Sequence, residues 1–227
     1  MQPYFLPYLG YFQLMAQVDA FVVFDDVHFI NRGWINRNRI NINGVPHWIT
    51  VPLQHASQNR LICDIELAPD DAWRGRLLKS IQQAYARAPQ FSRIYPLVTS
   101  IVECRESNLA DYLYHSLSAL HAHLGLKSEL VRTSRTYGNA QFRAQARIID
   151  ICRREGAATY INPPGGTELY DPANFAAHGI ELAFLNPALP PYATGRMPCL
   201  PGLSIVDVLM HVPPESMAER LYAGTLS

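Results

Sequence analysis

Apolar and polar positions alternate along the chain with periods that predict helices and strands in turn. The elements predicted in the first half are a helix over 8–18, a buried strand over 20–24, strands over 47–53 and 61–67, helices over 70–88, 92–105 and 107–124, and a strand over 128–133. A polar stretch, 31–44, ends in Asn43-Gly44, which is typical of a turn. Three helices therefore follow one another inside a pattern of strands.

The second half returns to the alternation of strands and helices. Its predicted elements are a helix over 141–155, a strand over 159–161, a helix over 171–178, a strand over 181–185, a Pro-rich loop over 187–201, a helix over 205–211 and a last helix that begins at Pro213. Such alternation predicts an α/β fold with a largely parallel, Rossmann-like sheet. We interpret 1–227 as a single domain, with a helical subdomain inserted at about 70–125.

Composition and charge exclude a disordered chain and a chain that binds nucleic acid or membranes through its overall charge. The chain has 227 residues, of which 48% are hydrophobic, so it can bury a core and is not disordered. Lys plus Arg number 19 and Asp plus Glu also number 19, which gives a net charge of zero. No general field then draws the chain to nucleic acid or to an anionic membrane. We expect no stable nucleic-acid complex, and any phosphate binding has to come from a local cluster of charge.

The four cysteines, Cys63, Cys104, Cys152 and Cys199, are not spaced as metal ligands or redox pairs. No CxxC pair occurs among them, so no metal site is predicted. No apolar run approaches the length of a membrane span, and the N-terminus lacks the pattern of a signal peptide. The sequence therefore predicts a cytoplasmic protein with reduced thiols and no membrane insertion.

Two carboxylates and a histidine come directly after the first predicted strand. Asp25, Asp26 and His28 lie where that strand ends, and in open α/β sheets the carboxyl edge is where ligands bind. Paired acids there are able to hold Mg²⁺, accept from a sugar hydroxyl or act as a base. A turn that merely ends the strand explains the Asp-Asp pair as well. We predict these three residues as the catalytic candidates, with Mg²⁺ as the one cofactor left open.

A second candidate is a stretch rich in arginine and asparagine that contains no lysine or acid. Its candidate ligand-binding residues are Asn31, Arg32, Trp34, Asn36, Arg37, Asn38 and Arg39. Arginine forks match phosphate or carboxylate oxygens, and a tryptophan offers a flat surface to a base or a sugar ring. A solvated polar hairpin is the alternative interpretation. The absence of Lys and Glu favours an anion-binding loop.

Weaker signals come from an aromatic stretch near the N-terminus, a glycine turn and a helix start. The aromatic stretch contributes Gln2, Tyr4, Tyr8, Gly10 and Tyr11, which form either an anion site at the start of a helix or a plug for the core. The glycine turn contributes Gly165, Gly166 and Tyr170, which on their own indicate a turn more than a phosphate cradle. Ser204 and Asp207 are typical of a helix cap rather than of a catalytic pair.

Read together, these motifs resemble the WbqC-like family, and the likeness covers nearly the whole chain. It rests on QPYFLPYLGYF at 2–12, DDVHF at 25–29, RGWINRNRI at 32–40, KSI at 79–81, YIN at 160–162, GG at 165–166 and LSIVDVLM at 203–210. The family is bacterial and is associated with O-antigen and other polysaccharide gene clusters. Members often carry a short apolar strand ahead of the Gln-Pro motif, and this sequence opens on Met1-Gln2.

The resemblance implies a function in modifying amino sugars on nucleotide-linked precursors, including acyl or aminoacyl (glycyl-type) transfer. It also makes the shared motif residues named above the binding-site candidates. The expected partner is a nucleotide-linked sugar or another phosphate-bearing small molecule, and an aminoacyl-tRNA as transient donor stays open. The alternatives are a non-catalytic sugar-nucleotide-binding or scaffold protein of a polysaccharide assembly complex, and a nucleotidyltransferase-like enzyme. Against the last, Tyr8-Leu9-Gly10-Tyr11 keeps the glycine of the His-x-Gly-His motif but neither imidazole.

Overall fold

A computed structural model describes residues 1–195 and 198–227 of the chain. Its α-helices are α1 (Leu9–Ala16), α2 (Ala72–Tyr85), α3 (Phe91–Val102), α4 (Leu109–His123), α5 (Ala144–Arg154), α6 (Pro172–Ala176), α7 (Ile205–His211) and α8 (Met217–Leu221). Its strands are β1 (Ala20–Val22), β2 (Arg37–Ile42), β3 (Val45–Thr50), β4 (Leu53–Gln54), β5 (Glu66–Leu67), β6 (Glu129–Val131), β7 (Thr159–Asn162), β8 (Glu181–Asn186) and β9 (Thr225–Leu226). No helix within these ranges is long and apolar enough to cross a membrane.

The helices form where an apolar stripe recurs every three or four residues. On α2 the stripe consists of Trp73, Leu77, Ile81 and Tyr85, all of which are buried. The next long helix, α4, begins at Asn108, whose side chain accepts from the backbone N–H of the first turn. Helices α2, α3 and α4 contribute buried side chains to the same hydrophobic core as α1 and α7. The segment predicted as a helical subdomain thus shares the main core.

The α/β class predicted from the sequence is confirmed, but the sheets are small. β1 pairs with β6 in parallel, and β7 pairs with β8 in parallel while β9 joins β8 antiparallel. The hairpin β2–β3 and the pair β4–β5 are antiparallel. A single large parallel sheet is not formed in the part of the chain that the structure describes, because β1 and β7 are not hydrogen-bonded to each other.

A groove of about 630 Å³ separates β1 from β7. The Val23 N–H donates to the Val131 carbonyl oxygen, and the Glu129 N–H donates to that of Asp19. On β1, the odd-numbered residues therefore direct their backbone groups towards β6. Ala20 and Val22 consequently direct theirs into the groove. On β7, the bond from Glu181 to Ala158 shows that even-numbered residues face β8. The backbone groups of Thr159 and Ile161 consequently face the groove from its opposite wall.

Met1 lies at one end of this groove and forms the hydrogen bonds of a residue in a strand parallel to β1. Its amino group donates to the Val22 carbonyl oxygen at 2.8 Å, and the Phe24 N–H donates to the Met1 carbonyl oxygen at 2.9 Å. Beyond Met1, these edges of β1 and β7 pair with no strand among the described residues, so they form a receptive place for one more strand. A strand there would join the two parallel pairs into one sheet.

We therefore expect a designed apolar extension of five β-branched residues, joined to Met1, to stabilise the fold. Several new backbone hydrogen bonds should raise the melting temperature by roughly 5 °C, since about 1 kcal/mol shifts a domain of this size by 2–4 °C. The matched control replaces alternate residues of the extension with proline, which removes the N–H donors. Thermal denaturation of both forms checks the expectation, and equal melting temperatures would contradict it.

The hairpin β2–β3 lies where the sequence predicted a polar loop followed by a strand. Asn43 and Gly44 form its two-residue turn with φ of 55° and 81°, the left-handed pair that suits a tight hairpin. Along β2, Asn38 and Ile40 are buried while Arg37 and Arg39 alternate with them on the outer face. The polar hairpin, weighed above as the alternative to an anion-binding loop, is therefore the local structure of this segment.

Candidate functional site

The carboxyl end of β1 carries a carboxylate that is fully engaged in the protein. Asp25 is 1% exposed, and its Oδ1 accepts from the Thr133 hydroxyl at 2.7 Å and from the Ser134 N–H at 3.2 Å. The Arg135 guanidinium lies 3.2 Å from its other oxygen. These partners follow β6, which pairs with β1. Asp25 thus ties the ends of the two strands together.

Asp26 forms a buried ion pair with an arginine of α5. The Arg147 guanidinium donates to the Asp26 carboxylate and, at 3.2 Å, to the Asp26 carbonyl oxygen. The two side chains are 7% and 9% exposed, and the arginine also lies 4.8 Å from the ring of Phe24. Its Nε donates to Asn139 at 2.9 Å. Each charge is therefore compensated, as a buried charge must be.

A pocket of about 450 Å³ opens beside this ion pair. Its polar lining consists of Asp26, His28, Arg143, Arg147 and Tyr170, and Phe24, Val27 and Phe142 are among its apolar residues. The volume suits a small-molecule ligand. The ring of His28 and the guanidinium of Arg143 are exposed and bind no partner in the part of the chain that the structure describes. These two side chains are the ones available to a ligand.

The glycine turn predicted after β7 reaches the same pocket through Tyr170. Gly166 is buried, and a side chain on it would clash with the side-chain amide of Asn162 and crowd the Tyr170 ring, so a larger residue would require both to move. The hydroxyls of Tyr160 and Tyr170 lie 3.5 Å apart, and burial raises the pKa of Tyr160 well above its usual value. Gly165 is exposed and lines none of the pockets described. The turn places Tyr170 in the lining of the pocket that also contains His28.

The N-terminal aromatic stretch packs against itself. Tyr11 is 1% exposed and donates to the Gln2 carbonyl oxygen at 3.0 Å, and its ring lies edge-on to Tyr4 at 5.0 Å. Gly10 leaves room for the ring of Tyr8, which would otherwise clash at 2.5 Å. Burial raises the pKa of the tyrosine hydroxyls. The geometry favours a packing role for this stretch over direct binding.

Ser204 and Asp207 join the core rather than the pocket. The Ser204 hydroxyl donates to the Leu6 carbonyl oxygen at 2.9 Å and accepts from Val206 at 3.3 Å, as a helix cap does. Asp207 is fully buried and accepts from the hydroxyls of Tyr85 and Tyr192, each at 2.6 Å. Burial and the nearby carboxylate raise the pKa of both tyrosines. The cap prediction is confirmed for Ser204 but is wrong for Asp207, because the Ser204 N–H donates to the Arg39 carbonyl oxygen and the Asp207 carboxylate binds the two tyrosines.

The arginine-rich stretch forms a platform on the outer face of the hairpin. The rings of Trp34 and Trp48 are 44% and 48% exposed, and their centroids lie 5.2 Å apart. The Arg37 guanidinium lies 4.2 Å from the Trp48 ring, and that of Arg39 lies 5.2 Å from Trp34 and 5.7 Å from Trp48. We call these four residues the Trp–Arg platform. Trp48 was missed as a site residue, although the Asn-Gly turn fixes the register that places it opposite Arg39.

The asparagines of this stretch bind backbone rather than face the platform. Asn38 is buried and donates to the carbonyl oxygens of Phe5 and Leu6, and Asn36 donates to that of Val51 at 2.8 Å. Asn31 is exposed. Arg32 has a φ of 58°, and its carbonyl oxygen accepts from Arg37. Asn38 thus holds the hairpin against the N-terminal stretch, and Asn36 ties the start of the hairpin to its end.

Two of the four cysteines, Cys63 and Cys152, lie in surroundings that keep their thiols protonated. Burial raises the pKa of Cys63, close to Asp25, to about 11, and that of Cys152 also to about 11, so both are thiols at neutral pH. Within residues 1–195 and 198–227, no group of three or more His, Cys, Asp or Glu side chains is arranged to hold a metal ion.

The fold and the pocket define a mixed α/β protein with a ligand-sized cavity at the carboxyl end of a parallel strand. The chain belongs to the WbqC-like protein family, whose model matches residues 2–219. It is similar to the uncharacterized protein Rv1507c of Mycobacterium tuberculosis (strain ATCC 25618 / H37Rv). The two are 27% identical over 218 residues, which cover 95% of this chain and 94% of that protein. No solved structure matches the chain.

Proposed function

We propose that this protein is a transferase that acts on nucleotide-linked amino sugars during the synthesis of bacterial surface polysaccharides. The group transferred is an acyl or aminoacyl group. The observation that carries the proposal is the pocket at the end of β1, where His28 and Arg143, which bond no other described side chain, line the same cavity as the Asp26–Arg147 ion pair. Membership of the WbqC-like family supports the substrate class through the resemblance described above.

His28 is the side chain best placed to act as the base. It is exposed in the pocket, and histidine is the side chain that most often serves as a general base in enzymes. The sugar amine attacks the carbonyl carbon of the donor, a C–N bond forms, and the bond to the donor's leaving oxygen or sulfur breaks. His28 takes the proton of the amine and returns it to the leaving group.

Arg143 and Tyr170 have binding roles in this proposal. The Arg143 guanidinium lies at the pocket lining and offers a fork of donors to a phosphate or carboxylate oxygen. Tyr170 presents a hydroxyl and a ring to the sugar. Asp25 and Asp26 act as positioning residues, because their oxygens already bind Thr133, Ser134 and Arg147.

A binding screen tests the proposed substrate class. The panel contains UDP-, dTDP-, GDP- and CMP-linked sugars, each with and without Mg²⁺, and the readout is the melting temperature. A ligand at a hundred times its dissociation constant stabilises a fold by about 2.7 kcal/mol, which is readily measured at this size. We expect one nucleotide-sugar class to bind and Arg143→Ala to weaken it about tenfold or more, while Arg153→Ala, on the helix α5 that follows Arg143, leaves binding unchanged.

A non-catalytic scaffold is the second candidate function. It is favoured by the hydrogen bonds and ion pairs that Asp25 and Asp26 already form within the described chain, because these contacts occupy the oxygens that a reacting carboxylate would use. Tight binding of a nucleotide sugar without any turnover, in all combinations with acyl and aminoacyl donors, would support the scaffold and contradict the transferase.

A further inference from the structure

The arginines of the Trp–Arg platform form no ion pair in the part of the chain that the structure describes. The same holds, within residues 1–195 and 198–227, for Arg32. Arginines elsewhere in the fold, such as Arg74 and Arg147, do have carboxylate partners. The hairpin is therefore a local cation on a chain whose net charge is zero.

The two arginines of the platform differ in how their donors are used. Arg37 donates from Nε to the Gly33 carbonyl oxygen at 2.9 Å and also to that of Arg32, so it holds the turn before β2. Arg39 has a buried Nε that donates to no partner in the described chain. A buried donor without an acceptor costs free energy. The terminal nitrogens of Arg39, unlike Nε, are not buried, and they also donate to no partner in the described chain, so they are the donors that an incoming acceptor oxygen can meet.

The aromatic part of the platform indicates what that acceptor belongs to. Trp34 and Trp48 are each about half exposed, and Arg39 lies within 6 Å of both ring centroids. Exposed tryptophan faces stack planar rings, and an arginine fork between them binds phosphate oxygens. One ligand that carries a planar ring and a phosphate chain satisfies both features.

We propose that the Trp–Arg platform binds the nucleoside diphosphate of the substrate. The base stacks on Trp34 or Trp48, and the phosphate oxygens accept from Arg39. Arg37 is a positioning residue that fixes the turn. This inference rests on the proposed function and names the part of the substrate that the hairpin recognises. Residues 28–36 connect the two places, with His28 at the end that lines the pocket and Trp34 beside β2.

Calorimetry and fluorescence with UDP, dTDP, GDP and CDP as probes test the platform. The chain has three tryptophans, of which Trp73 is buried in α2, so a ring that stacks on the platform should quench the other two. We expect Arg39→Gln and Trp48→Leu each to weaken binding of the preferred nucleotide by roughly 10- to 100-fold. Arg39→Lys keeps the charge but not the fork and should recover only part of the affinity. Arg76→Gln, an exposed arginine of α2, is the matched control.

The outcomes separate this inference from the proposed function. Unchanged affinity in Arg39→Gln and Trp48→Leu, with a nucleotide sugar still bound and turned over, would overturn the platform and leave the transferase standing. Lower stability of both variants without any change in affinity would also overturn it, because the rings would then serve only the hairpin. Binding of single-stranded RNA in preference to every nucleotide, with an affinity that falls steeply with salt, would overturn both proposals.

Discussion

Replacing Arg147 with alanine should destabilise the protein by about 3–5 kcal/mol, the cost of leaving one partner of a buried ion pair alone. The substitution leaves the Asp26 carboxylate, 9% exposed, without its cation and removes the donor to Asn139. At this chain length such a loss should lower the melting temperature by roughly 10 °C. Chemical denaturation followed by circular dichroism measures the free energy of unfolding.

Arg153→Ala provides the control for this measurement. Arg153 lies on the same helix, α5, but is exposed, so its loss should change the free energy of unfolding by no more than about 0.5 kcal/mol. The double variant Asp26→Asn, Arg147→Met removes both charges and should be more stable than Arg147→Ala. Equal effects of Arg147→Ala and Arg153→Ala would show that the ion pair contributes nothing to folding.

The second large effect is expected on turnover. His28→Ala should lower kcat by about 10²–10⁴-fold, because the amine would lose the base that accepts its proton. Since the ring of His28 is exposed and makes no hydrogen bond to residues 1–195 or 198–227, the melting temperature should barely change. His28→Gln keeps a polar side chain without its basicity and should be almost as inactive. Steady-state kinetics with the substrate found in the binding screen measures the effect.

His178→Ala is the matched histidine control. His178 is also exposed but lies after α6, where its ring bonds the Asn174 carbonyl oxygen at 2.8 Å. The His178→Ala variant should retain the full kcat of the wild-type protein. If His28→Ala also retained full kcat, the base would have to be another group of the pocket.

The local elements of this fold are largely readable from the sequence, because they depend on neighbouring residues. The apolar stripe of α2, the Asn43-Gly44 turn and the α7 span 205–211 agree with the structure. Strand β2 was not predicted, because its inward positions include Asn38, a polar residue that bonds the carbonyl oxygens of Phe5 and Leu6. A buried asparagine breaks the apolar alternation that signals a strand.

The site was predictable only in part. The sequence predicted the position of the site, because Asp25 and Asp26 come directly after the residues of β1. It did not predict which side chains bind these two acids. Asp26 is separated from Arg147 by 121 residues, and Asp25 from Ser134 by 109. Local periodicity contains no information about such pairs. The size of the sheet was overestimated for a related reason. Whether β1 and β7 join one sheet depends on the groove between them, and the residues of the two strands do not indicate that groove.

The most direct measurement is mass spectrometry of a nucleotide-linked amino sugar incubated with the protein and an acyl or aminoacyl donor. The proposed function requires the sugar to gain the mass of the transferred group with the wild-type protein, and this gain should be reduced at least about 100-fold with His28→Ala. A sugar nucleotide that binds at the pocket but gains no mass with any donor would contradict the transferase and leave a binding protein in its place.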